Sequence, residues 1–165
     1  MQPSDAERRS ILDALDDQER RAVRRLTRRR RFASGEIIFH EGDPGEALHI
    51  VTRGLVGIRV GTIYGDLAML TVLAPGDGFG EGAMLTGGYR TATAVALAPT
   101  ETLSLSRADY EELAANRPAV TQIIIETLSA QVQRLTVHLL EALHLPVETR
   151  VLRRLTTLAE LIEVS

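Results

Sequence analysis

Hydrophobic and polar positions divide the chain into three stretches with different periods. Over residues 4–34 the apolar positions Ile11, Leu12, Leu15, Val23 and Leu26 recur at helical spacing among charges, which predicts an N-terminal helical segment (1–34). Ser4 and Asp5 are plausible caps for its start. From residue 35 the period changes to two. Short alternating segments at Glu36–His40, Ala47–Thr52, Leu55–Val60, Leu67–Leu73, Thr91–Leu97 and Glu101–Leu105 predict strands, with Leu48 and Ile50 on one face and Val56, Ile58 and Val60 inward of Arg59. Turn chemistry separates them: Gly42-Asp43-Pro44-Gly45, Arg53-Gly54, Tyr64-Gly65-Asp66 and Pro75-Gly76-Asp77. Close-set short strands predict an antiparallel sandwich or roll over 35–117.

Beyond residue 106 the helical period returns. Pro118 suits a helix start and Pro146 interrupts. Between them Ile125, Leu128, Val132, Leu135, Leu139 and Ala142 form a 3-4-3-4-3 seam, the spacing of a coiled-coil interface. Ile124, Val137 and Leu140 widen the apolar surface to a second side. A helix apolar on two sides has two things to cover, and the roll and a second copy of the chain are the candidates. Helix 118–145 is therefore the predicted dimerisation element, followed by an amphipathic segment, 146–165. The predicted fold is α+β: an antiparallel β-roll, jelly-roll-like, flanked by N-terminal helices and a long C-terminal dimerisation helix.

Composition narrows the function. With 165 residues and 44% hydrophobic residues the chain has enough apolar surface for one core. No apolar run approaches the ~18 residues of a membrane span. The polar start MQPSDAERRS lacks a signal-peptide core, so a soluble cytoplasmic protein with no membrane partner is the expectation. Cysteine is absent, which removes disulfides, thiolate metal sites and a Cys nucleophile. All 19 basic residues are Arg, and without Lys neither a P-loop nor a Schiff-base enzyme is possible. Net charge is −3, but residues 1–31 hold ten Arg against six acids. The run Arg28–Arg31 reads as solvent-facing positions leading into the first strand rather than as a nucleic-acid patch, since no aromatic interleaves with it. His40, His49, His138 and His144 show no H-x-H spacing, which argues against a metal-dependent cupin enzyme. His49, at a strand position, reads as a packing residue rather than a haem ligand. No enzyme activity, cofactor or metal is expected.

The densest feature is PGDGFGEGAML over residues 75–85, followed by Tyr89-Arg90-Thr91-Ala92. Gly78, Gly80 and Gly82 permit sharp turns and close backbone approach. Glu81 to Leu85 predict one short helical turn whose free N–H groups offer a small anion cradle. Arg90, nine residues after Glu81, supplies a guanidinium suited to phosphate, and Thr91 a hydroxyl. Ionised Glu81 only accepts hydrogen bonds, which suits ribose hydroxyls. An anion site beside a sugar-hydroxyl site describes a nucleotide. An ordinary surface ion pair between Glu81 and Arg90 is the bland alternative.

This constellation resembles the phosphate-binding cassette of cyclic-nucleotide-binding domains. Over roughly residues 10–160 the chain is similar to the bacterial Crp/Fnr family, the cyclic-AMP receptor group. The resemblance rests on GEIIFHEGDPG at 35–45, LHIVTRGLV at 48–56, GDGFGE at 76–81 and Arg90-Thr-Ala, in that order. It implies that Glu81 bonds the ribose 2′-hydroxyl, that Arg90 and Thr91 face the cyclic phosphate, and that Gly80, Gly82 and Ala83 offer backbone groups. It further implies cyclic AMP as ligand, cyclic GMP second, and a homodimer through the long helix. Thr136 falls near the position where a hydroxyl contacts the base. Family regulators continue into a helix-turn-helix that reads DNA. LPVETRVLRRL at 145–155 resembles the connecting helix, so the expectation is a sensor piece of a longer regulator, with DNA contacted only by a domain outside this chain. A ligandless dimerisation module and a stand-alone nucleotide binder remain the alternatives.

Overall fold

The computed structural model describes residues 16–62 and 65–164. The proposed caps Ser4 and Asp5 and the apolar positions Ile11, Leu12 and Leu15 lie outside them, as does Tyr64.

The first described helix, α1 (Asp17–Leu26), is started by a capping box. Asp16 accepts from the Glu19 amide at 2.7 Å, and Glu19 accepts from the Asp16 amide at 3.0 Å. Arg24 and Arg25 sit in its last turn, where cations oppose the helix dipole. Val23 is buried and Leu26 packs against the same core.

Eight strands follow: β1 (Arg28–Phe32), β2 (Ile37–Phe39), β3 (Ala47–Arg53), β4 (Val56–Gly61), β5 (Leu67–Leu73), β6 (Gly78–Phe79), β7 (Thr93–Ala96) and β8 (Thr100–Ser106). They build two antiparallel four-stranded sheets, β1-β8-β3-β6 and β2-β7-β4-β5. Between β6 and β7 lies the short helix α2 (Glu81–Thr86). Three helices complete the chain: α3 (Arg107–Asn116), α4 (Pro118–His144) and α5 (Val147–Val164). Among the described residues no helix is long and apolar enough to cross a membrane.

β3 explains the layering. Leu48 and Ile50 face one side, where Leu105, Met84, Val23, Leu113, Val120 and Ile124 pack on them. Val51 faces the other sheet, within a cluster of Val56, Leu73, Phe79 and Ala94. The first sheet is thus covered on both faces, by helices outside and by the second sheet inside.

Three sequence expectations change. The helical stretch ends at Leu26, and Arg28–Phe32 is a strand paired with β8 from Arg28↔Ser104 to Phe32↔Thr100. All four of its arginines are exposed, so strand formation here follows from pairing with β8, not from apolar alternation. In β4 an irregularity between Ile58 and Arg59 breaks the in-out alternation, and Arg59 is half-buried rather than outward. The segment after Arg90 becomes strand only at Thr93, after a bend at Thr91 and Ala92 and an isolated bridge from Tyr89 to Pro44.

α4 is 27 residues long, about 40 Å. Its first turns are core: Val120 and Ile124 are buried and Leu128 is partly so. Farther along, Val132, Leu135, Val137, Leu139, Leu140 and Leu143 are exposed, as is Ile125 nearer its start.

Candidate functional site

The site forms where α2 meets the segment leading into β7. Gly80 stands just before α2 with φ +81°, a left-handed conformation that favours glycine. A Cβ there would run into the Arg90 guanidinium. Glu81 opens the helix, and the amides of its first turn have no intrahelical acceptor. Ala83 is buried against Gly45, where any side chain would collide with Ala83. Met84, fully buried, anchors the helix in the core beneath it.

Arg90 is brought to this turn by its own backbone. Its N–H donates to the Asp43 carbonyl at 2.8 Å, and its carbonyl accepts from the Gly42 amide at 2.8 Å. The Asp43 carboxylate in turn accepts from the His40 amide at 2.7 Å, closing the turn that makes this clamp. The Arg90 side chain is 6% exposed. It donates through Nη1 to the Gly80 carbonyl and through Nη2 to the Ala47 carbonyl, both at 2.7 Å. Its Cζ lies 4.1 Å from the centre of the Phe39 ring, a cation–π contact.

Glu81, 7% exposed, is buried beside it. None of the ion pairs among the described residues joins Glu81 to Arg90, so the surface ion-pair alternative does not describe them. Burial pushes the Arg90 guanidinium below its ordinary pKa, while the negative charges of Glu81, Asp43 and Glu46 push it back up. Glu81 Oε2 and Arg90 Nε are buried without a hydrogen-bond partner. Such atoms cost free energy unless a further group satisfies them. One is an acceptor and the other a donor, which is the complementarity a sugar hydroxyl and a phosphate oxygen require.

Behind Arg90 lies an aromatic cluster. The His49 ring stacks on Phe79 with centroids 5.2 Å apart and planes 21° apart, and Phe39 is tilted against both at 6.1 and 5.8 Å. His49 Nδ1 lies 3.2 Å from the hydroxyl of fully buried Thr102. Desolvation lowers the His49 pKa to about 4, helped by the positive charges of Arg90 and Arg30. Among the described residues no group of three or more His, Cys, Asp and Glu is placed to hold a metal ion.

Of the seven residues singled out from sequence, Gly80, Glu81, Ala83 and Arg90 are brought together, the last three of them buried. Gly82 and Thr91 are exposed, each next to a buried member of the group. Thr136 is not brought to it within one chain: it is exposed on α4, and its hydroxyl donates to the Val132 carbonyl of its own helix at 2.9 Å. Sequence reasoning missed Phe39 and the carbonyls of Asp43 and Ala47 as partners of Arg90. Main-chain carbonyls carry no side-chain signature, although the Gly42–Gly45 turn was a signal that something nearby needed fixing.

Comparison with known proteins finds relatives over much of the chain. A cyclic AMP receptor protein of Thermus thermophilus is 37% identical over 105 residues, which are 64% of this chain and 49% of that protein. A CRP-like cAMP-activated global transcriptional regulator of Mycobacterium tuberculosis is 30% identical over 129 residues, 78% of this chain and 58% of that protein. The crystal structure of the Thermus thermophilus catabolite activator protein superposes with a TM-score of 0.72 at 32% identity, covering 79% of this chain and 61% of that one. The chain spans about half the length of these curated relatives. The cyclic nucleotide-binding domain profile matches residues 29–117, the span that carries both sheets, the Gly80–Glu81 turn and Arg90, and the chain belongs to the cyclic nucleotide-binding domain family.

Proposed function

We propose that the chain is a cyclic-nucleotide sensor of a Crp/Fnr-type transcription regulator, binding cyclic AMP in preference to cyclic GMP and catalysing nothing. Glu81 accepts from the ribose 2′-hydroxyl. Arg90 grips the cyclic phosphate, with the Thr91 hydroxyl and the first-turn amides of α2 beside it. α4 pairs two chains, and DNA contact belongs to a domain outside this sequence. Thr136 reaches the base only if that pairing carries an α4 helix over the cradle.

The observation that carries this reading is the pair of orphaned buried atoms, Glu81 Oε2 at the start of α2 and Arg90 Nε in the segment leading into β7. The Arg90 fork keeps N–H groups beyond the two already given to the Gly80 and Ala47 carbonyls. Phosphate can therefore be gripped without dismantling those bonds.

Calorimetry with cyclic AMP and cyclic GMP tests the proposal. Saturable heat is expected, with a rise in melting temperature. Arg90→Lys keeps the charge and loses the planar fork, and about a hundredfold weaker binding is expected. No heat and no thermal shift at high nucleotide would defeat the proposal.

A second reading, a ligandless dimerisation module, draws on the same arginine. Two of its nitrogens already hold backbone carbonyls, so Arg90 has a structural task without any ligand. Under that reading Arg90→Lys lowers the melting temperature and nucleotide changes nothing.

A further inference from the structure

The nucleotide reading leaves His49 without a task, although it lies in the layer directly behind Arg90. Strand register fixes its neighbours. Arg28 pairs with Ser104, Ser104 with His49, and His49 with Phe79, so these four share the face turned toward the second sheet. Arg30 pairs with Thr102 and Thr102 with Val51, which places Arg30 in the next row of that face. The groups facing His49 are thus Phe39 from β2, Phe79 from β6, Thr102 and Ser104 from β8, Arg28 and Arg30 from β1, and Arg90 beyond Phe39. Every charged group in that set is a cation, and the carboxylates of Glu81, Asp43 and Glu46 act on Arg90.

We propose that His49 is a proton-coupled group behind the anion site: when an anionic phosphate settles on Arg90, the His49 ring binds a proton more readily, so nucleotide binds more tightly in acid. This rests on the nucleotide reading of the site. The Arg90 charge sits within about 10 Å of the His49 ring, given a 4.1 Å step from Cζ to the Phe39 ring centre and 6.1 Å from there to His49. Cancelling one unit charge at that range, at an effective dielectric constant of about 20, changes the proton affinity of the ring roughly tenfold. Free His49 is neutral near pH 7, since burial, Arg90 and Arg30 hold its pKa at about 4. Linkage is reciprocal: a bound anion that favours the imidazolium makes the imidazolium form favour the anion by the same factor. Affinity is therefore flat above pH 7 and rises as the pH falls toward the His49 range. An expected gain of about twofold between pH 7.5 and pH 5 follows from a tenfold change at a midpoint of about 4.

The protein has four His residues, so the His49 ring signals can be followed by NMR and identified with His49→Phe, which retains an aromatic ring for the stack on Phe79. The titration is run with and without saturating cyclic AMP, and calorimetry at pH 7.5 and pH 5 gives the affinity ratio for wild type and His49→Phe. Expected are a His49 midpoint moved to higher pH by nucleotide, and an affinity ratio larger in wild type than in the variant. Protonation of the nucleotide base contributes to both chains and cancels in that comparison. A His49 midpoint unmoved by bound nucleotide, or equal ratios in the two chains, overturns the coupling while leaving the nucleotide site standing. An absence of binding at both pH values overturns both.

Discussion

At the scale of single residues, the site depends on positions where one atom more or less decides the outcome. Gly80 is the sharpest case. Alanine there needs a strained left-handed backbone and puts a methyl group into the Arg90 guanidinium. Gly80→Ala is expected to destabilise the fold by about 1–3 kcal/mol and to weaken cyclic AMP binding at least tenfold, read by urea melts and calorimetry. A variant as stable and as tight as wild type would show that Arg90 does not need its place beneath Gly80. His49 makes a second residue-scale prediction. Its folded pKa of about 4 lies below the ordinary 6.5, so the unfolded chain binds more protons between those values. Its contribution is fully present above pH 6.5 and is lost as the pH falls toward 4, in all about 3 kcal/mol. Urea melts across that window should show a steeper acid loss in wild type than in His49→Phe. The sequence disclosed Glu81 and Arg90 because their types and spacing carry the chemistry. It could not disclose the Ala47 and Asp43 carbonyls, because any residue type supplies a carbonyl.

At the scale of elements, the readable parts were those whose stability comes from their own pattern. β3, β5 and α4 carry a strand or helix period in their own residues, and the structure places their bounds within a residue or so of the sequence reading. β1 was not readable in this way. Four consecutive arginines offer no alternation of apolar and polar positions, and Arg28–Phe32 is a strand because β8 offers it a partner and Glu101 draws Arg29 and Arg31 at 3.5 and 2.8 Å. Those exposed pairs add little stability. The arginines do keep a bare sheet edge from pairing with another strand. α4 divides into two halves with opposite expectations. Ile124→Ala removes a buried side chain from the core that joins the helix to β3, and about 2–4 kcal/mol of stability should go with it. Leu135→Ala touches an exposed position and should leave the folding of one chain almost unchanged. If both substitutions cost the same in a denaturant melt of the dilute chain, then α4 is covered along its whole length by its own domain.

At the scale of the whole molecule, the apolar surface left over is not spread evenly. Val132, Leu135, Leu139 and Leu143 on α4 continue into Val147, Val151 and Leu155 on α5, and Arg153 reaches back to Glu141 at 2.7 Å across the bend between the helices. Exposed apolar residues in this number are expected of an association surface, and the heptad spacing of the α4 part fits the proposed pairing with another α4. Pairing of two chains and binding of nucleotide are separate proposals, and their coupling is the regulatory one. A ligand shifts an assembly only if its affinity differs between the paired and unpaired states. Thr136 supplies a concrete reason for such a difference: it lies on the pairing helix and is not brought to Glu81 or Arg90 within a single chain. Sedimentation over a range of protein concentrations should therefore show self-association that Leu135→Glu abolishes, and saturating cyclic AMP should shift the association constant by about five- to a hundredfold. Reciprocity adds a check that needs no second instrument: cyclic AMP affinity must then depend on protein concentration by the same factor. Thr136→Val should reduce that factor while leaving the affinity of the dilute monomer unchanged, because in the monomer the hydroxyl only serves its own helix. An association constant indifferent to nucleotide, or a monomer affinity that falls with Thr136→Val, would separate the nucleotide pocket from the helix seam and leave α4 as a dimer contact with no part in sensing.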